Sequence, residues 1–181
     1  MSQPLVILDR DGVINEDSDD YIKSVDEWIP IPGSIEAIAR LTQAGFLVAV
    51  VTNQSGLARG YFTEIDLANM HNYMEHLVEN AGGQINAVVY CPHLPTDNCA
   101  CRKPRTGMLE QLKQELSITL TGCFFIGDTA KDIDTAKAML CRPVLVRTGK
   151  GAETEEQLAP EQLDQVIIVD DLLSAVEYIL S

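Results

Sequence analysis

The amino-acid sequence predicts an α/β fold in which a mainly parallel, doubly wound sheet is covered by helices on both faces. Short, continuously apolar runs alternate along the chain with segments of helical period. Unbroken apolar strands are typical of parallel sheets buried between helices. Clusters of polar and charged residues also follow directly after four of the apolar runs. Because ligands bind outside the carboxyl ends of the strands in such sheets, these clusters predict one shared binding site.

Each element is predicted from its own residues. Apolar runs predict six strands, over residues 5–8, 46–51, 87–90, 123–126, 144–146 and 166–169. Apolar residues at helical spacing predict five helices, over residues 35–44, 64–79, 108–116, 132–140 and 172–180. Gly45 is placed to end the first helix, while Thr63 and Asp66 predict a capping box at the start of the second.

Length and charge narrow the class of protein. The chain has 181 residues, which favours one domain, spanning residues 1–181, with a core large enough to need no disulfide. Its formal charge is 13 − 27 = −14, which disfavours binding to nucleic acid or to an anionic membrane. The sequence contains no apolar run of 18 residues and no secretory signal, so we expect a cytoplasmic protein with reduced thiols. No predicted helix has a broad exposed apolar stripe, so a monomer is expected.

The first polar cluster, residues 9–15, contains two carboxylates, Asp9 and Asp11. Two residues apart in extended chain, they point to the same side and would repel each other unless a cation lay between them. Hard oxygen ligands of this kind favour Mg²⁺. Beside a bound phosphate, one carboxylate can attack phosphorus while the other acts as general acid and base. The alternative is an acidic turn that only ends the strand.

The second polar cluster follows the second predicted strand and consists of Thr52, Asn53, Gln54 and Ser55. A hydroxyl and free backbone N–H groups at the end of a strand suit phosphate oxygens. The alternative is an ordinary polar turn between a strand and a helix, and this cluster taken alone favours that interpretation.

The third cluster brings three cations, Arg102, Lys103 and Arg105, into four residues of a chain that has only 13. Lys103 can neutralise a phosphate as a point charge, and Arg102 can hold a second phosphate through two hydrogen bonds. The alternative is a solvated basic loop. In the fourth cluster Asp128 follows an apolar strand, which indicates another metal ligand, whereas Asp132 is best explained as the N-cap of the next helix.

A fifth cluster, Cys91, His93, Cys99 and Cys101, places three thiols and one imidazole within eleven residues. Such a set suits tetrahedral structural zinc, which would make residues 91–101 a rigid loop and aim Lys103 at the phosphate. The one-residue spacings are tighter than the usual two. Buried free thiols and a redox pair are therefore alternatives.

The first four clusters resemble, in order, the four motifs of the haloacid dehalogenase superfamily of phosphotransferases, and the resemblance covers almost the whole chain. It implies a Rossmann-like core with Asp9 as the nucleophile and Asp11 as the general acid and base. It also implies Mg²⁺ held by Asp9, Asp128 and the backbone carbonyl of Asp11. Thr52 and Lys103 would complete the catalytic set.

Within that superfamily the chain resembles the heptose-bisphosphate phosphatases, through residues 9–15, 52–60, 91–93 and 99–104. This resemblance implies a small phosphorylated sugar as substrate, in carbohydrate metabolism leading to lipopolysaccharide or to GDP-heptose. It assigns substrate contacts to Asp9, Arg10, Asp11, Tyr21, Thr52, Asn53, Gln54, Ser55, Arg102 and Lys103. Thr129 departs from the pattern, because many relatives carry lysine there.

Two intervals, 11–52 and 52–103, leave no room for a separate cap domain, so we expect an open site whose specificity comes from short loops. Two other functions stay open. One is a phosphatase of another small monoester, such as histidinol phosphate. The other is a zinc or thiol module without hydrolytic activity.

Overall fold

The computed structural model describes residues 3–181, so the first two residues of the predicted 1–181 domain lie outside it. Its strands are β1 (Leu5–Leu8), β2 (Leu47–Asn53), β3 (Ala87–Cys91), β4 (Phe124–Gly127), β5 (Arg142–Val146) and β6 (Ile167–Val169). They form one sheet in the order β3-β2-β1-β4-β5-β6, and every neighbouring pair is parallel. The predicted parallel α/β class is confirmed, because all six predicted strands are present.

The helices are α1 (Ser34–Gln43), α2 (Glu64–Asn80), α3 (Gly107–Leu116), α4 (Ala130–Ala138), α5 (Gly151–Gln157) and α6 (Leu172–Leu180). Five of them were predicted, and the capping box of Thr63 and Asp66 at the start of α2 is confirmed. The sequence of α5 has no apolar period, which is why it was missed. Two short 3₁₀ turns, Val25–Glu27 and Pro95–Asp97, were also not predicted.

The start of α4 differs from the prediction. Thr129, not Asp132, is the N-cap, and Asp132 is the third residue of the helix. The Asp132 carboxylate accepts hydrogen bonds from the Thr129 backbone N–H at 3.1 Å and from its hydroxyl at 2.8 Å. The prediction was wrong because Thr129 has the extended backbone that a cap requires, which makes Asp132 its capping-box partner.

The sheet is buried on both faces. Side chains alternate along β1, so that Val6 and Leu8 belong to one core and Leu5 and Ile7 to the other. Helices α1, α2 and α6 cover the first core, and α3 and α4 cover the second. This two-sided burial explains why the strands are apolar without interruption. None of the helices within residues 3–181 is both long and apolar enough to cross a membrane.

The topology determines where a ligand can bind. The strand order reverses between β1 and β4, which lie side by side. The Asp9 N–H continues their ladder by donating to the Ile126 carbonyl at 2.9 Å, so Asp9 leaves the sheet at this point. A 3₁₀ turn and α1 connect β1 to β2, and α2 alone connects β2 to β3. These short connections leave the carboxyl edge of the sheet open.

Candidate active site

All four predicted polar clusters meet at the carboxyl edge of the sheet, where they line a cleft of about 260 Å³. Among the residues predicted to act in catalysis, to bind substrate or to bind Mg²⁺, only Arg10 does not border this cleft. The predicted convergence of four separate segments is therefore present in the fold.

Lys103 occupies the buried end of the cleft. Its ammonium group donates to the Val51 carbonyl at 2.9 Å and to Asp132 Oδ1 at 2.7 Å, and it lies 3.0 Å from Asp9 Oδ1. Burial disfavours the charged form, but the two carboxylates raise the pKa of Lys103, so it stays a cation. An ammonium group has three N–H bonds, and those of Lys103 are all taken, by the Val51 carbonyl and by the carboxylates of Asp9 and Asp132. Lys103 therefore orients these two carboxylates.

Asp9 and Asp128 are neighbouring carboxylates in the cleft whose negative charge is only partly neutralised by nearby cations. Burial and repulsion from Asp132 raise the pKa of Asp9 to about 7. Burial and repulsion from Asp9 raise the pKa of Asp128 to about 8. Carboxylate oxygens of these three residues lie within 4.8 Å of one another. A divalent cation here would favour the ionised forms, and the all-oxygen donor set suits a hard ion such as Mg²⁺.

Asp132 is not free to join that donor set. One of its oxygens pairs with Lys103, and the other accepts from the backbone of Asp128 at 3.2 Å as well as from Thr129. Asp9 and Asp128 are therefore the carboxylates available to a metal.

A glycine makes room for Asp128. Gly12 has a positive φ of 81°, and a Cβ at this position would overlap the Asp128 carboxylate and approach Gly149. From the other side, the Lys150 N–H donates to Asp128 Oδ2 at 2.9 Å, and the Thr154 hydroxyl donates to the Asp128 carbonyl at 2.9 Å. Asp128 is thus confined to one position facing Asp9.

We expect Gly12→Ala to lower the affinity for Mg²⁺ at least about tenfold, because the new methyl group displaces the Asp128 carboxylate. Titration calorimetry with MgCl₂ measures this directly. Gly45→Ala is the matched control, because Gly45 also has a positive φ, of 88°, but its Cβ would meet nothing within 4 Å. Backbone strain should cost each variant about 1 kcal/mol of stability, and the overlap with Asp128 should add to that loss in Gly12→Ala. Equal Mg²⁺ affinities in the two variants would contradict the expectation.

The Asp11 carboxylate is held from three sides. Its Oδ1 accepts from Arg10 Nη2 and from Asn15 Nδ2, both at 2.9 Å, and its Oδ2 accepts from Gln54 Nε2 at 2.9 Å. Burial opposes ionisation, but the Arg10 charge and these hydrogen bonds hold the pKa of Asp11 below its usual range. The Arg10 side chain is wholly buried behind Asp11. The structure therefore does not bring it into the cleft as a substrate contact.

The four side chains from Thr52 to Ser55 have two different roles. The Asn53 side chain exchanges hydrogen bonds with the Lys103 backbone, accepting at 3.0 Å and donating at 3.3 Å. Gln54 Nε2 donates both to Asp11 and to the Thr52 hydroxyl. These two amides hold the site together. Within the described residues, the Thr52 and Ser55 hydroxyls donate to no protein group, so they are available to phosphate oxygens.

Three cations that are more exposed than Lys103 also border the cleft, and we call them the outer cations: Arg102, Lys131 and Lys150. Tyr21 borders the cleft too. Lys150 lies 3.6 Å from the Asp17 carboxylate and 3.4 Å from that of Asp19. Lys131 has no carboxylate within 4.0 Å in residues 3–181. Partial burial and repulsion from Arg102 hold the pKa of Lys131 below its usual range. A bound anion would relieve this repulsion.

Of the three outer cations, only Arg102 was among the cations that the sequence indicated. Arg105 lies outside the cleft, where it donates to the Cys99 carbonyl at 2.6 Å and to Asn98 Oδ1 at 3.2 Å. Lys131 and Lys150 were missed. Lys131 follows Asp128 by three residues, a spacing that could have found it. Lys150 follows β5, outside every recognised motif, and carries no such signal.

The four side chains predicted to bind zinc also lie close together. The Cys91 sulfur lies 3.7 Å from the Cys99 sulfur and 3.0 Å from that of Cys101, and His93 Nδ1 lies 3.2 Å from the Cys101 sulfur. Zn–S bonds of about 2.3 Å place two sulfurs of a tetrahedral site about 3.7 Å apart. The four side chains could therefore hold a metal ion. Arg102 donates to the His93 carbonyl at 3.3 Å, which ties this loop to the cleft.

Comparisons with known proteins agree with this geometry. A family model described as HAD-hydrolase-like matches residues 100–175. The D-glycero-β-D-manno-heptose-1,7-bisphosphate 7-phosphatase of Pseudomonas aeruginosa is 54% identical over 99% of both chains. The enzyme of that name from Neisseria meningitidis is 48% identical over 97% of this chain and 94% of its own.

Solved structures show the same relationship. The crystal structure of a D,D-heptose 1,7-bisphosphate phosphatase from B. bronchiseptica, complexed with magnesium and phosphate, is 45% identical and has a TM-score of 0.93 over 98% of both chains. A phosphatase of the same description from Burkholderia thailandensis is 36% identical, with a TM-score of 0.76 over 99% of both. Sequence, fold and site together establish that this chain belongs to the D-glycero-D-manno-heptose-1,7-bisphosphate 7-phosphatase family of the HAD-like hydrolases.

Proposed function

We propose that the protein is a Mg²⁺-dependent phosphatase that removes the 7-phosphate of D-glycero-D-manno-heptose 1,7-bisphosphate through an aspartyl-phosphate on Asp9. The observation that carries the proposal is the Asp9 carboxylate, held 3.0 Å from the buried Lys103 ammonium in a cleft shared with Asp11 and Asp128. Relatives 48–54% identical over nearly their whole length carry the name of this activity, which supports the substrate.

The donor set fits magnesium. Asp9, Asp128 and the backbone carbonyl of Asp11 would hold the ion, which would neutralise the phosphate and stabilise the charge that develops during transfer. The fit rests on the oxygen-only ligands and on burial of two carboxylates whose pKa values are raised to about 7 and about 8. The magnesium and phosphate in the related crystal structure support it further.

The chain's own residues divide the chemistry between them. Asp9 attacks phosphorus, forming an acyl phosphate as the bond to the sugar oxygen breaks, and Asp11, which carries a proton at this stage of the cycle, gives it to that oxygen. Asp11 then takes a proton from the water that attacks the aspartyl-phosphate, which releases inorganic phosphate and restores Asp9. Donors from Thr52 and Ser55 hold the phosphate oxygens, and Lys103 keeps Asp9 in place for the attack.

A bisphosphate needs a second anion site, and the outer cations Arg102 and Lys131 are placed to supply it. Both border the cleft, and both are more exposed than the buried Lys103. Because Lys131 lacks a carboxylate partner among residues 3–181, its charge is free for the phosphate that is not transferred. Tyr21, which lines the same region, would contact the sugar.

We expect Lys131→Met to raise KM for the bisphosphate about tenfold, the cost of one charged hydrogen bond, and to leave kcat nearly unchanged. KM for a heptose 7-monophosphate should not move, because that ester lacks the second phosphate. Steady-state phosphate release measures both. Lys113→Met is the control, since Lys113 is exposed on α3 beside Glu110. Equal changes on the two esters would remove Lys131 from this role.

The function itself is tested by phosphate release from both anomers of the heptose bisphosphate and from histidinol phosphate, with Mg²⁺ and with EDTA. We expect the bisphosphate to be the best substrate, EDTA to abolish turnover, and ³¹P NMR to show the 1-phosphate retained. The β anomer is the first to try, because the relatives' name specifies it. A preference for histidinol phosphate, or turnover that survives EDTA, would contradict the proposal.

We propose further that Cys91, His93, Cys99 and Cys101 hold a structural zinc ion. The convergence of the four ligand atoms supports this, as do the Cys91–Cys99 sulfur distance of 3.7 Å and the packing of Cys99 and Cys101 against the second core. All five cysteines are unpaired with one another, as suits a protein of the reducing cytoplasm. We propose that the protein acts there as a monomer.

A further inference from the structure

His71 lies behind the cleft, on the buried face of α2. Its side chain is 7% exposed, and its Nε2 lies 3.2 Å from Arg10 Nη1. Because an arginine can only donate, Nε2 must be the acceptor and the ring proton must be on Nδ1. Burial and the Arg10 charge lower the pKa of His71 to about 3, which keeps the ring neutral and able to accept.

Arg10 has two side-chain partners within the described residues, Asp11 and His71. Its Nε and Nη2 donate to Asp11 Oδ1 at 3.2 and 2.9 Å, and Nη2 also reaches Oδ2 at 3.2 Å. Its Nη1 is left for His71. A wholly buried guanidinium keeps its position only while the donors on both sides find acceptors. His71 therefore fixes the orientation of the guanidinium plane, and with it the direction from which Arg10 binds Asp11.

We infer that His71 is a positioning residue for the proton transfers made by Asp11, and that it acts through Arg10. The inference rests on the proposed function, in which Asp11 gives a proton to the leaving sugar oxygen. Arg10 contacts the Asp11 carboxylate through Nε and Nη2, so the direction of the guanidinium sets the position of that carboxylate. By accepting from Nη1, His71 keeps the guanidinium in this direction.

The test compares two esters that differ in their need for a general acid. A sugar alkoxide leaves only with a proton, whereas p-nitrophenolate leaves without one. His71→Phe keeps a ring of similar shape and removes the acceptor. We expect it to lower kcat/KM for the heptose bisphosphate about tenfold and kcat/KM for p-nitrophenyl phosphate less than about twofold. His71→Gln restores a neutral acceptor and should recover most of the loss.

His76→Phe is the matched control, because His76 is exposed on the same helix. If melting curves show that His71→Phe does not fold, His71→Leu takes its place in the comparison with His71→Gln. Equal losses on the two esters, no loss on either, or no recovery with glutamine would overturn the inference. Failure of the wild-type protein to hydrolyse either ester would instead refute the proposed function, and the inference with it.

Discussion

Asp9→Asn is expected to abolish phosphate release while the fold survives. The amide keeps the shape of the carboxylate but cannot attack phosphorus, so turnover should fall about 10⁴-fold or more. The substitution replaces the ion pair with Lys103 at 3.0 Å by a hydrogen bond to a neutral amide oxygen, while Lys103 keeps its ion pair with Asp132 at 2.7 Å. It also removes the repulsion that Asp9 exerts on Asp128. These effects oppose each other, so the melting temperature without metal should change little.

Mg²⁺ gives an independent measurement. A ligand that binds only the folded state raises the melting temperature, so MgCl₂ should stabilise the wild-type protein and should stabilise Asp9→Asn much less. Asp134→Asn is the control, because it makes the same chemical change at an exposed position on α4. Substantial phosphate release by Asp9→Asn would show that Asp9 is not the nucleophile.

Loss of the predicted zinc site should have the second large effect. Cys101→Ser removes one proposed ligand from a cluster that packs against the second core, and it would leave the loop before Lys103 without the proposed zinc cross-link. Structural zinc sites contribute folding free energy directly. We expect a loss of about 4 kcal/mol, which corresponds to about 10 °C in melting temperature for a chain of this size.

The same substitution should raise KM, because Arg102 donates to the carbonyl of His93, one of the proposed zinc ligands. Metal analysis after gel filtration should find about one zinc per wild-type chain and almost none in Cys101→Ser. Cys123→Ser serves as the control, because Cys123 lies outside the cluster. Within residues 3–181, the Thr119 carbonyl is the only acceptor to which its thiol donates a hydrogen bond. A wild-type protein without zinc would show that the loop is organised in another way.

The strands, and the chain segments that form the site, could be predicted because each depends on local sequence. Two-sided burial makes β1 and β4 apolar throughout, and the parallel topology brings Asp9 and Asp128 to the same edge of the sheet. Those relationships follow from the order of strands and polar clusters along the chain, and predicting them needs no knowledge of side-chain packing. This is why the four clusters, and the spacing of the Cys and His residues, indicated where the chemistry lies.

What could not be predicted depends on contacts between distant residues. The Arg10 side chain is directed away from the cleft because His71, 61 residues later, offers it an acceptor. Lys131 borders the cleft because α4 begins at residue 130, and that start depends on which of two polar residues is the cap. Sequence patterns list the donors and acceptors of such networks, but the three-dimensional fold decides which of them meet.

The open edge of the sheet has a consequence for the rate of the enzyme. In the described part of the chain, the connections after β1 and β2 carry one α-helix each, so we expect a catalytic cycle without a domain closure that must reverse before product leaves. Exchange of sugar and phosphate should then be limited by contacts at the rim, chiefly those of Arg102 and Lys131. A change of two or three rim residues could therefore redirect the same buried machinery to another phosphate ester.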